Sequence, residues 1–323
     1  MTHTSELKGR AVLVTGAAGC IGAWTVKLLK DLGAVPVVFD LTDNRQRLEL
    51  IMDNAQSVIW ELGDITDFER LSQVADAHNI EAIIHLAALQ VPFCKADPIN
   101  STKINVIGST HILELARQRG ITRFSYASSI AAPAMGDNKW LATLYGAHKV
   151  CTEQMAAVYW QDWELPSVGI RPAIIYGPGR DQGMSAAPTL AMLAACTNQP
   201  YTIPFSGDVS FVHVEDAAIR FIAAAATSYN GAHVFDLNGT PAHITEIVEL
   251  IKNHRPDAQI SFTGDPMPFP ANPEDGDLDS LLKTTPCRPI RQGITDTFNS
   301  FDQAHARGAD LAGLLQTILG RNP

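Results

Sequence analysis

The chain has 323 residues, 46% of them hydrophobic, and a formal net charge of −10 at pH 7. That length is enough for a large buried core, built as two units or as one unit with an elaboration, and no apolar run is long enough for a membrane span. The acidic balance argues against a nucleic-acid partner, which needs a basic face.

The five cysteines, Cys20, Cys94, Cys151, Cys196 and Cys287, are scattered without CxxC spacing, as expected of buried thiols in a reducing compartment. The ten histidines show no metal-ligand spacing, so no metal is expected. The start, Met1 to Glu6, has no basic region followed by an apolar one, and the expectation is a cytoplasmic protein.

In chain order, Arg10 to Thr15 is a β-branched apolar run that ends in glycines, and Ile21 to Leu32 follows with helical spacing and stops at Gly33. The alternation continues with a strand at Val35 to Phe39, a helix at Arg45 to Asn54, a strand at Ser57 to Trp60 and a helix at Asp67 to His78. Next come a strand at Ala82 to Leu86, a long helix from Ile99 to Arg119, a strand at Phe124 to Ala127, a helix at Leu144 to Trp163 and a strand at Ser167 to Arg171.

Six strands separated by helices predict a doubly wound parallel sheet, because parallel neighbours need crossover helices. The expected fold is therefore α/β, with a Rossmann domain over 1–175 and a smaller, mainly substrate-binding α/β region over 176–323. Segments around 205–240 are expected to return to the first domain.

Beyond Arg171 the pattern loosens. Helices are expected at Ala186 to Cys196, Val214 to Thr227, Ile244 to Asn253 and Leu278 to Leu282, and through Ile290 to Leu319; strands are expected at Ala232 to Leu237 and Ile260 to Phe262. The proline-rich stretch Pro266 to Pro273 reads as irregular.

Two local patterns carry chemistry. Gly16, Gly19 and Gly22 lie between a strand and a helix, where glycines permit a tight turn and close approach of a dinucleotide pyrophosphate to the N–H groups of Cys20, Ile21 and Gly22. Asp40 ends the second strand, where a carboxylate accepts from ribose hydroxyls and repels a 2′-phosphate, favouring NAD, although Arg45 and Arg47 are near enough in sequence to reach a phosphate. Asp64, followed by Ile65, stands after the third strand, placed for the adenine or as a helix cap. Tyr145 and Lys149 lie four residues apart and share one helical face.

Together with His85-Leu86-Ala87-Ala88, Asn105-x-x-Gly108, Ser128-Ser129, Arg171-Pro172, Tyr176-Gly177-Pro178 and Val212 to Asp216, these residues resemble the extended short-chain dehydrogenases/reductases, in particular the NAD-dependent sugar epimerase/dehydratase group. The resemblance spans nearly the whole chain. It implies an enzyme in which Tyr145 is the acid/base, Ser129 binds the same substrate oxygen and Lys149 holds the nicotinamide ribose. It also implies that Leu86, Ala87, Ala88, Ile65, Pro172 and Ile175 line the cofactor, that Asn105 fixes the backbone of the site, and that two subunits pair through helices. His213 and Asp216 read as structural, Asp216 as a helix cap.

The chain departs from that pattern in four places. Ile130-Ala131 stands where dehydratases carry an acidic pair, which argues against elimination of water. Only fifteen residues separate Ser129 from Tyr145, which implies a shortened roof over the substrate. Val209 stands where sugar-nucleotide enzymes place an arginine, and Met267 to Pro273 lacks a second one, so a diphosphate would miss its paired cationic donors.

Gln90, Trp140, Arg180 and Met184 are the candidate substrate contacts, with Phe93, Phe205 and Phe211 as further pocket wall. The expected activity is hydride transfer between NAD and a secondary alcohol or ketone of a small sugar, sugar acid or polyol, an oxidoreductase of carbohydrate metabolism. An NAD-retaining sugar or nucleotide-sugar epimerase is the alternative, and a non-catalytic NAD-binding regulator the second.

Overall fold

A computed structural model describes residues 3–133, 142–267 and 277–321. Twelve strands are present among them: β1 (Ala11–Thr15), β2 (Val35–Asp40), β3 (Ile59–Leu62), β4 (Ala82–His85), β5 (Phe124–Ala127), β6 (Ser167–Pro172), β7 (Ile174–Tyr176), β8 (Tyr201–Ile203), β9 (Asp208–His213), β10 (Ala232–Leu237), β11 (Thr240–His243) and β12 (Ile260–Phe262). Seven form one sheet in the order β10-β6-β5-β4-β1-β2-β3, with every neighbouring pair parallel. This is the doubly wound Rossmann arrangement, extended at one edge by β10.

The sheet is buried on both faces, and strand parity assigns each residue to a face. Val12 and Val14 of β1 join Val38, Ile84, Val168 and Ile170 in one core, whereas Leu13 joins Val37, Phe39, Ile83, Phe124 and Tyr126 in the other. The first core is covered by the helices Cys20–Asp31 and Val214–Ala226, and the second by Phe68–Ala77, Gly108–Arg119 and Leu144–Trp163.

The expected strands and helices of the first half are present with shifted ends. The third strand begins at Ile59 and reaches Leu62, because its ladder to β2 pairs Val37 with Ile59 and Asp40 with Leu62; apolar spacing had marked Val58 and Trp60 instead. The second helix is limited to Gln46–Ile51, and Asn54 turns left-handed at φ 56° just after it. The tract expected over Ile290 to Leu319 divides into Ile290–Ala306 and Leu311–Arg321, separated by Gly308 at φ +94°.

Sequence reading missed β7, β8, β9 and β11, which form a three-stranded sheet (β11-β9-β7) and, with β12, a two-stranded one. These strands are three to six residues long. β9 alternates poorly, because Val209 to His213 are all buried whatever their polarity. Most of the Pro266 to Pro273 stretch lies outside the described residues.

Candidate active site

The carboxyl ends of β1, β4, β5 and β6 converge where the strand order reverses between β1 and β4, the position at which open α/β sheets take ligands. At β1, Gly16 turns at φ +72°, and a Cβ there would stand 2.7 Å from the Ala87 backbone. A Cβ on Gly22 would meet the Gly16 carbonyl at 2.4 Å, so the helix Cys20–Asp31 packs directly on the turn. That helix starts at an extended Gly19 with no capping side chain, leaving first-turn N–H groups for an anion. Cys20 opens it, and burial pushes its thiol up to about 12, which makes it a packing residue rather than a nucleophile.

Asp40 closes the same loop by accepting the Ala18 N–H at 2.9 Å, and burial raises its carboxyl above the ordinary value. The two nearby arginines are committed elsewhere. Arg47 grips Asp181 (2.5 Å) and the Ala18 and Gly179 carbonyls. Arg45 pairs with Asp43, donates to the Ala55 and Val58 carbonyls and stacks on Trp60.

Neither is left for a 2′-phosphate, so the loop and the Asp40 carboxylate fit NAD. Asp64 is exposed and accepts from the Thr66 N–H and hydroxyl (2.8 Å each), while Asp67 rather than Asp64 caps the next helix. The Ile65 side chain packs under Gly108 and its carbonyl is bonded to His111, so Ile65 belongs to the core.

A chain of hydrogen bonds ties β1 to β4. The Thr15 hydroxyl accepts the Leu86 and Ala87 N–H groups, which directs its proton to His85 Nδ1 (2.7 Å). His85 then carries its proton on Nε2, facing Ser109 (3.1 Å), and burial holds its pKa near 3, so the ring stays neutral. Ser109 donates to the Asn105 carbonyl.

Asn105 sits in a π-helical turn, Lys103–Ile107, inside the long helical tract from Pro98 to Arg119. Its amide holds both the N–H and the C=O of Leu89 (2.7 and 2.9 Å), fixing the segment Leu86 to Gln90. Widened helical turns of this kind recur at functional sites because they redirect a side chain. His148, whose Nδ1 lies 3.3 Å from the same amide, locks this tract to the helix carrying Tyr145.

The helix Leu144–Trp163 starts at Thr143, whose hydroxyl accepts the Gly146 N–H. A Cβ on Gly146 would come within 2.4 Å of the Ala131 carbonyl, so this glycine lets the helix approach the loop after β5. There the Ser129 hydroxyl accepts the Ala131 N–H at 3.1 Å and hydrogen-bonds the Tyr145 phenol. Burial raises the Tyr145 pKa, and the Ser129 bond opposes that rise.

One turn on, Lys149 Nζ donates to the Ala127 carbonyl (2.6 Å) and lies 5.6 Å from the centre of the Tyr145 ring. Burial draws its pKa down to about 8. One turn further, Glu153 takes the Ser128 hydroxyl and two Arg171 nitrogens (2.7 and 2.6 Å), and its charge raises the Lys149 pKa against burial. The structure thus brings Ser129, Tyr145 and Lys149 together, and shows Ser128 as a structural hydroxyl. Sequence reading missed Glu153, although a glutamate in helical register with Tyr145 and Lys149 was a visible signal.

The remaining expectations divide. Pro172 ends β6 and accepts the Ile130 N–H, and Ile175 lies in β7; both are buried. Ala88 and Gln90 are half-buried in the segment after β4. Arg180 and Gln90 both face Gly183. Trp140 and the Met184 side chain lie outside the described residues.

Phe205 and Phe211 are core residues, Phe211 edge-on to Tyr176, and Phe93 is exposed. Asp216 is not a helix cap. His213 caps that helix, and Asp216 binds Arg288 together with Glu215 and Asp296. Among the described residues no group of three or more His, Cys, Asp or Glu side chains is placed to hold a metal ion, and no helix is long and apolar enough to cross a membrane.

This combination of a Rossmann sheet, an NAD-type glycine loop and a Ser/Tyr/Lys group at the carboxyl edge defines the extended short-chain dehydrogenase/reductase class. Residues 12–238 match the model of the NAD dependent epimerase/dehydratase family, and the chain belongs to that family of NAD-dependent enzymes.

A UDP-glucose 4-epimerase of Rhizobium leguminosarum bv. trifolii is 31% identical over 277 residues, covering 76% of this chain and 82% of the relative. Among solved structures, the UDP-glucose 4-epimerase of Thermotoga maritima with UDP-glucose has a TM-score of 0.78 at 22% identity, covering 91% of this chain and 99% of that one. An L-threonine dehydrogenase from Clostridium difficile has a TM-score of 0.76 at 21% identity, covering 92% and 98%. These two likenesses establish the fold.

Proposed function

We propose that the protein transfers hydride between NAD and a secondary alcohol or ketone of a small sugar-like molecule. The observation that carries this reading is the Tyr145 phenol, hydrogen-bonded by Ser129 with the Lys149 ammonium beside it. Bound at the glycine loop, NAD supplies the hydride acceptor. Tyr145 takes the hydroxyl proton of the substrate, and Ser129 holds the same oxygen. Lys149, the only cation on the Tyr145 face of that helix, stabilises the phenolate and is placed to bind the cofactor's ribose.

Asp40 selects NAD; Gly16, Gly19 and Gly22 admit the pyrophosphate; Asp64 stays exposed at the adenine end. Val209 is buried within β9, which leaves that position without a grip on a diphosphate. The test is NADH formation with a panel of sugars, sugar acids and polyols: turnover that Tyr145→Phe abolishes supports the reading, and no turnover with any member removes it.

Epimerisation is the second reading, favoured by the similarity to the Rhizobium UDP-glucose 4-epimerase. It uses the same residues with hydride returned to the other face of the substrate. NAD retained through purification, together with interconversion of UDP-sugars followed by NMR, would establish it over net oxidation.

We also propose a homodimer through the helical tract Pro98–Arg119 and the helix Leu144–Trp163, because Ile99, Ile107, Val158 and Trp163 are exposed there. A monomer by light scattering would rule this out.

A further inference from the structure

The Arg180 guanidinium is a cation of this region that, among the described residues, the fold leaves partly unanswered. Its Nε is buried without a hydrogen-bond partner, and Nη2 donates to the Ser185 hydroxyl at 2.8 Å. No carboxylate lies at ion-pair distance from it among the described residues. The adjacent Asp181 is taken by Arg47 through both of its oxygens.

Backbone turns set its position: Arg180 N–H closes a turn on the Gly177 carbonyl, and Gly177, Gly179 and Gly183 all adopt positive φ. At Gly183, a Cβ would stand 3.5 Å from Arg180 Nη2 and 3.3 Å from Gln90 Oε1, so arginine and glutamine converge on one point. Gln90 directly follows Leu89, which Asn105 clamps beside His148. Arg180 also acts electrostatically on the Tyr145 phenol.

A buried guanidinium with an unmet N–H is costly unless a ligand supplies the missing acceptor. We infer that Arg180, with Ser185 and Gln90, binds the carboxylate of the substrate, which makes the substrate class a small hydroxy acid, such as an aldonate or uronate, rather than a neutral sugar or a sugar nucleotide. This rests on the dehydrogenase reading above.

The chemistry of the donors favours a monoanion. One guanidinium fork with neutral hydroxyl and amide neighbours matches a planar carboxylate, whereas a diphosphate calls for paired cations. Arg47 is the nearest other cation in this loop cluster, and Asp181 already neutralises it.

The test compares aldonates and uronates with their neutral counterparts, alditols and methyl glycosides, using the full chain and NAD. The wild type should prefer the acids. Arg180→Gln should lower kcat/KM for the acids on the order of 30- to 100-fold, mainly through KM, the loss expected for a charged hydrogen bond. NADH affinity, followed by fluorescence, should stay within about twofold. Arg180→Lys keeps the charge and loses the fork, and should fall between the two; it also serves if the glutamine variant fails to fold.

Equal turnover of acids and neutral partners by the wild type would overturn the inference and leave the dehydrogenase reading standing. A loss of NADH affinity that parallels the loss of turnover would overturn it too, by making the cofactor pyrophosphate the anion that Arg180 holds. If no member is oxidised, the acids are titrated against the protein–NADH complex. Binding that depends on Arg180 then sustains the anion site while removing the dehydrogenase reading, and its absence removes both.

Discussion

The first half of the molecule and the part from β9 onward use their polar side chains differently. At the carboxyl edge of β1, β4 and β5, polar groups are close in sequence to a motif and are held open for chemistry: Ser129 and Lys149 meet Tyr145, and Asp40 closes the glycine loop. From β9 onward, Arg288 is consumed by Asp216, Glu215 and Asp296, and Arg220 is held by Asp279 and the Thr285 carbonyl, with its Nε alone unpaired. The first kind of residue shows its purpose through spacing, because the reaction dictates it. The second kind shows none until the fold brings its partners together.

Substitutions can break or sharpen this contrast. Tyr145→Phe should cut kcat by about a thousandfold or more, since it removes the proton-transfer group, while thermal unfolding stays near that of the wild type. A melting point that falls along with the rate would make Tyr145 a structural residue and erase the distinction. Arg288→Ala should do the reverse: destabilisation of about 3 kcal/mol by denaturant unfolding, because several carboxylates are left without their cation, with NADH affinity retained below the transition. Loss of NADH binding in the folded variant would show that the two regions are coupled.

Glu153→Gln tests a residue that belongs to both kinds. It weakens the Arg171 pair and should destabilise by roughly 2 kcal/mol, less than a fully buried pair, because Arg171 is a quarter exposed and keeps Asp236 at 3.5 Å. It also removes a charge that, after that of Cys94, raises the Lys149 pKa. Lys149 near 8 should therefore lose its proton at lower pH, and the alkaline fall of the rate should move downward. An unmoved limb would confine Glu153 to packing.

The smallest effect is expected from Asp40→Asn, which removes the charge that repels a 2′-phosphate. The preference for NAD over NADP should narrow by about tenfold. An unchanged ratio would mean that Arg45 and Arg47, held by their own partners, decide the preference instead.

Much of the site was legible because each motif occupies one local element. Gly16, Gly19 and Gly22 sit within a single turn, and Tyr145 and Lys149 within one turn of helix, so their spacing survives whatever the rest of the chain does. The Rossmann sheet was legible for the same reason, since alternating strand and helix patterns force parallel crossovers. β7, β9 and β11 were not, because no alternation of strand and helix frames them and they draw their partners from one another across distant segments. Phe211 read as pocket wall and proved to be core for a related reason: an aromatic residue in a loosely patterned stretch does not declare which side of its strand faces the site.

The sequence by itself determined the family, and it marked the glycine loop and the Ser129, Tyr145 and Lys149 group on which the proposed chemistry rests, because those depend on residue type and short-range spacing. Only the tertiary structure decided that Arg47 is spent on Asp181, 134 positions away, that Glu153 stands behind Lys149 against Arg171, and that Arg180 and Gln90 both face Gly183 with an Arg180 N–H to spare. Those facts are about which charge has found a partner. A charge's partner is chosen by packing, which brings distant segments into contact at hydrogen-bond range, and no local pattern encodes it.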